Sequence, residues 1–167
     1  MLEALKKDHR LLAALAERIE ACLDDESPLA ATRLGQLRCR LAHEAIRHTI
    51  VEDRLVYRAL ENDDRRLLYG HCKTFPCLRT DRFLRHLQEY IHRWDAPAVQ
   101  GDRQHYAAAT REMMALLRTR MELEEHVLYP CFHALQARIP RARKTRRRVR
   151  HRAEARRHRI HVENRLI

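Results

Sequence analysis

Apolar residues recur in this chain at alternating steps of three and four, a period that fits amphipathic helices and not strands. Leu2, Leu5, Leu12, Ala16, Ile19 and Leu23 open the pattern, with His9 filling its one gap. A second stripe reads Leu34, Leu37, Leu41, Ala45, His48, Glu52, Leu55 and Ala59. A third passes through Phe83, Leu84, Leu87, Tyr90, Ile91 and Trp94. The fourth takes in Tyr106, Met113, Leu117, Met121, Glu124, Leu128, Cys131 and Leu135. Ser27 caps the second helix, with Pro28 at its first position, and that helix is expected from about residue 28 to 60. ENDDRR at 61–66 reads as a polar turn and DAPAVQGD at 95–102 as a loop. Gly70 and Pro76 predict a short or kinked segment between the second and third stripes. Four helices with short connections predict an all-α fold, an antiparallel up-down-up-down four-helix bundle.

The net charge of +11 is not spread over this frame. Residues 1–137 hold 21 basic and 21 acidic residues, and residues 138–167 hold 13 basic and 2 acidic, so the whole excess sits in the tail. The expected organisation is a neutral bundle, 1–137, with an Arg-rich basic C-terminal tail, 138–167, disordered or partly helical. No run approaches the ~18 apolar residues of a membrane span. The amino-terminal MLEALKKDHR lacks the apolar core of a signal peptide. Five scattered cysteines read as reduced thiols, and the expected location is the cytoplasm. Cys72 and Cys77 have no second pair to complete a zinc site.

Titratable groups on a core stripe are costly unless they are paired or bind a metal. Here His9 lies on the first stripe, His48 and Glu52 on the second and Glu124 on the fourth. His48 and Glu52 are four apart, stacked on one face. In an antiparallel bundle an early position on the first helix faces late positions on the second and fourth. All four groups then meet in one layer. Two imidazoles and two carboxylates suit iron, manganese or zinc, with iron and manganese favoured by the mixed set. A lone histidine on such a stripe is more often a hydrogen-bonded core residue. The coincidence on three helices argues for a metal more than any one residue does. Glu125 and His126 are expected on the solvated flank, His43 in solvent, and Met113, Met114 and Met121 in the core.

The segments KKDHRLLAAL, HTIVEDRLVY and RMELEEHVLYP resemble the hemerythrin-like HHE cation-binding domain over residues 1 to about 137. The resemblance implies a four-helix bundle holding a non-haem di-iron centre bridged by carboxylates. It also implies roles in binding or sensing dioxygen, sensing redox state, handling nitric oxide or managing iron. Under it His9 is the ligand from the first helix, His48 binds one iron, Glu52 bridges, and Glu124 is the second bridge. Two departures stand out. The family has a histidine four residues before the last carboxylate, where this chain has Arg120, which cannot be a ligand. The family also often places two histidines four apart on the third helix. Here His86 is followed at that spacing by Tyr90, and His71 by Phe75. His86 is then the third-helix ligand, with His71 as the fallback. One iron, two loosely held irons, or an arginine–carboxylate network in place of metal all remain open.

The expected function is therefore a metal-binding protein and not an enzyme, since no nucleophile–base pair, phosphate loop or cofactor fingerprint is present. The alternative is a metal-free helical bundle that binds a protein or nucleic acid through the tail. Thirteen basic residues in 30 positions suit salt-dependent phosphate contacts, and the absence of aromatics there argues against base stacking.

Overall fold

The computed structural model describes residues 1–25, 27–63, 70–71 and 73–137. They form helices α1 (Leu2–Leu23), α2 (Pro28–Glu52), α3 (Arg58–Asp63), α4 (Thr80–Arg93), α5 (Ala96–Gly101) and α6 (Arg103–Leu123). Five-residue π turns follow α2 at Asp53–Tyr57 and α6 at Glu124–Leu128, and a 3-10 turn spans Pro76–Leu78. No strand occurs among the described residues. Met1–Pro130 is one compact unit, and the described residues beyond it, 131–137, are helical. The basic tail, 138–167, lies outside the described residues.

The four long helices α1, α2, α4 and α6 pack as a bundle around their apolar stripes. Leu12, Leu15, Ala16 and Ile19 of α1 meet Leu34, Leu37, Leu41 and Ala45 of α2, Phe83 and Leu87 of α4, and Met113, Met114, Leu117 and Met121 of α6. The three expected core methionines are buried, and His43 is exposed. Trp94 and Tyr106 meet edge to face at 5.5 Å. Arg38 reaches across from α2, donates to the Trp94 carbonyl at 2.6 Å and lies over the Tyr106 ring at 5.2 Å. Polar pairs tie α1 to α6: Glu20 to Arg118 at 3.0 Å and Asp24 to Arg111 at 2.7 Å.

The helix starts follow from side-chain caps. Ser27 Oγ accepts from the Ala30 amide at 3.1 Å. Asp95 accepts from the Ala98 amide at 2.9 Å and Asp102 from the His105 amide at 3.2 Å. Each such cap stabilises by ~1 kcal/mol. The segment expected as a loop at 95–102 is therefore corrected: Asp95 starts the short helix α5, and Asp102 ends it and starts α6.

The second correction concerns register. Beyond Glu52 the stripe was expected to continue through Leu55 and Ala59, yet Leu55 is 38% exposed while Val56, Tyr57 and Leu60 are buried. The cause is the π turn, in which the Arg58 amide donates to the Asp53 carbonyl five residues back. One extra residue in the turn moves the buried face on by one position. The same happens after α6, where the Tyr129 amide donates to the Glu124 carbonyl and Leu128 and Tyr129 are both buried.

Ile19 is fully buried where helices converge. Ile19→Ala is expected to lower unfolding free energy by ~2–5 kcal/mol. The exposed neighbour change Arg18→Ala should stay within ~0.5 kcal/mol. Denaturant titration followed by circular dichroism measures both, and equal effects would place the core elsewhere.

Candidate metal centre

Three helices bring four buried polar side chains together. His9 sits two turns into α1, His48 and Glu52 at the end of α2, and Glu124 where α6 passes into its π turn. Each offers one donor atom, and the four atoms lie within 4.8 Å of one another. His9 Nε2 is 3.0 Å from His48 Nε2 and 3.3 Å from Glu124 Oε2, and His48 Nε2 is 3.9 Å from Glu52 Oε2. Donors bound to one transition-metal ion at ~2.0–2.2 Å stand roughly 3–4 Å from each other. The residues present therefore fit one metal ion.

Neighbours orient these donors. His9 Nδ1 lies 2.8 Å from Glu125 Oε1, which leaves Nε2 facing the cluster. The Tyr129 hydroxyl lies 3.2 Å from that same Nε2. His48 Nδ1 faces Asp8 Oδ2 at 3.6 Å. Burial lowers the His48 pKa to about 4, so its imidazole is neutral and its nitrogen lone pair is available. The space lined by Leu12, Phe83, Leu117, Arg120 and Met121 beside His48 and Glu124 has no volume for water.

The fifth buried member is Arg120, 1% exposed. Its Nε lies 2.6 Å from Glu124 Oε1, its Nη2 is 3.3 Å from Glu52 Oε2, and its Nη1 donates to the Cys77 carbonyl at 3.2 Å. Its guanidinium carbon lies 4.7 Å from the centroid of the Phe83 ring. These contacts divide the two carboxylates electrostatically. Burial and the Glu124 charge push the Glu52 carboxyl well above its ordinary pKa, which disfavours its ionised form. Burial also acts against the Glu124 charge, but the Arg120 guanidinium outweighs it and holds Glu124 well below the carboxylate range. The buried Glu124 charge is thus paired with the Arg120 guanidinium, which avoids an uncompensated buried charge.

His9, His48, Glu52 and Glu124, all expected at the site, come together. His86 does not. It is exposed on α4 among Arg82, Arg85 and Glu89, one position off the buried Phe83–Leu87 stripe, so its imidazole is carried away from the cluster. His71 is outside the cluster as well. Glu125, expected on the solvated flank, reaches His9 at 2.8 Å. Tyr129 and Asp8 were not foreseen. Tyr129 follows Glu124 by five residues, and only the π turn brings both to one face.

The helical bundle carries an internal His/Glu cluster that could hold a metal ion. The family model described as hemerythrin HHE cation binding domain matches residues 1–132, and the chain belongs to that family. No curated protein and no solved structure matches it.

Metal binding favours the ionised form of Glu52, which burial and Glu124 disfavour in its absence. Binding is expected to release protons from Glu52, and affinity should rise with pH until Glu52 is ionised without metal. Glu52→Gln should abolish that release. Indicator-dye or calorimetric titration in two buffers reads it, and unchanged proton release in the variant would assign the proton to another group.

Proposed function

We propose that this protein binds non-haem iron through His9, His48, Glu52 and Glu124, and that the bound iron serves in sensing dioxygen, nitric oxide or redox state, or in handling iron. The observation that carries this reading is the convergence of four buried donors from three helices within 4.8 Å. Two neutral or anionic nitrogen and oxygen donor pairs favour iron or manganese over softer thiolate-bound ions. Iron bound by these four residues would supply a redox-active centre. The chain's own residues do the rest. Glu125 and Tyr129 aim His9, Arg120 fixes the carboxylates, and Leu12, Phe83 and Leu117 exclude water. In this reading the bundle is antiparallel, a topology supported by the pairs His9–Glu125, Glu20–Arg118 and Asp24–Arg111, in which numbers rise along α1 and fall along α6. The protein is a cytoplasmic binding protein and not an enzyme. The described residues contain no helix long and apolar enough to cross a membrane.

A second reading rests on the tail's 13 basic residues in 30 positions. There the bundle is metal-free and residues 138–167 contact nucleic acid, with affinity falling steeply as salt rises.

Elemental analysis of untagged protein, loaded anaerobically with ferrous iron and desalted, decides between them. Wild type should retain iron, and His48→Ala and Glu52→Ala should lose at least ~10-fold in affinity while keeping their helical circular dichroism. Wild type that retains no iron, with both variants merely less stable, would leave the polar cluster as an internal ion network. Salt-sensitive DNA binding abolished by removing 138–167 would then favour the second reading.

A further inference from the structure

The chain carries its site-forming motif twice. Residues 48–57 read HTIVEDRLVY and residues 120–129 read RMELEEHVLY. In each, a buried polar residue is followed at four by a buried glutamate, then by another acid, and at nine by a buried tyrosine. In each, the helix widens into a π turn at the glutamate or just after it. The two copies differ in their opening residue, His48 in one and Arg120 in the other.

The geometry gives that difference a role. Glu124 turns Oε2 toward His9 Nε2 at 3.3 Å and Oε1 toward Arg120 Nε at 2.6 Å. Glu52 Oε2 lies between Arg120 Nη2 at 3.3 Å and His48 Nε2 at 3.9 Å, while Oε1 receives no hydrogen bond. Both carboxylates therefore bridge two positions. One is flanked by His9 and His48, which are nitrogen donors. The other is filled by the guanidinium, anchored by the Cys77 carbonyl and the Phe83 face.

Resting on the metal reading above, we propose that Arg120 is a built-in cation at the second of two bridged positions, so that the centre takes one divalent transition-metal ion, at His9 and His48. With one divalent ion and Arg120, the carboxylate pair faces three positive charges. A second divalent ion would raise that to five in a space closed to water. It would also find no further ligand residue, since the group of potential ligands among the described residues ends at four. Arg120 also holds the carboxylates in place before metal arrives, because its donors span both at once.

The test is anaerobic titration of the full-length protein with manganous ion, read by elemental analysis after desalting and by electron paramagnetic resonance. Wild type should reach one ion per chain, with the six-line signal of an isolated ion. Arg120→His restores at 120 the residue type that opens the other copy, and it should raise the stoichiometry toward two and couple the ions. Arg120→Lys keeps the charge and should stay at one. Two ions in wild type would overturn the proposal and leave the metal reading standing. So would a folded Arg120→His protein that still holds one. Should Arg120→His fail to fold, the wild-type and Arg120→Lys endpoints decide, two ions in either being fatal to the proposal. No ion in wild type would overturn the metal reading and this proposal together.

Discussion

A guanidinium buried against two carboxylates sets the terms for the rest of this bundle. Arg120 is 1% exposed, and Glu52 and Glu124 are fully buried. Removing one partner from such a group typically costs ~3–5 kcal/mol, because a charge is left without compensation. The three side chains come from α2 and α6, and Arg120 also grips the Cys77 carbonyl in the 3-10 turn before α4. One side chain thus ties two long helices to the segment that starts the next. The apolar stripes would allow these helices to slide or rotate at modest cost, since hydrophobic contact is not directional. The ion cluster permits one register.

The two π turns are the second constraint, and they work with the first. A regular helix would place a residue five beyond Glu52 or Glu124 well round the helix. The widened turns bring Tyr57 and Tyr129 back toward the buried face. There the two tyrosines diverge. Tyr57 donates to the Leu78 carbonyl at 2.7 Å, bracing the chain ahead of α4, whereas Tyr129 reaches His9 at 3.2 Å. The tyrosine of one copy supports the frame, and that of the other finishes the site.

Much of this was legible in the residue pattern. The three-and-four spacing marks four long helices, and the titratable residues interrupting it at His9, His48, Glu52 and Glu124 are the ones that converge. Three things were not legible. The shift from Leu55 to Val56 and Tyr57 depends on a backbone bulge with no residue signature of its own. The helix α5 depends on two aspartate caps in a stretch whose Pro97 and Gly101 read as loop. The partnership of Glu125 with His9 joins residues 116 apart and depends on how α1 and α6 sit against each other. His86 looked like a ligand because it was the best-placed histidine of its helix. Lying one position off a stripe is enough to turn a side chain by ~100° and put it in solvent.

The fixed guanidinium also shapes how the protein would report on its surroundings. In a pair of neighbouring metal positions, filling one alters the affinity of the other, and occupancy then follows a curve steeper or shallower than simple saturation. A cation carried on the chain is present at constant dosage from synthesis onward. A single remaining position would fill along a plain hyperbola, with no threshold. A bundle built this way would track the free metal supply in proportion, like a gauge, where a centre with two coupled positions could behave as a switch.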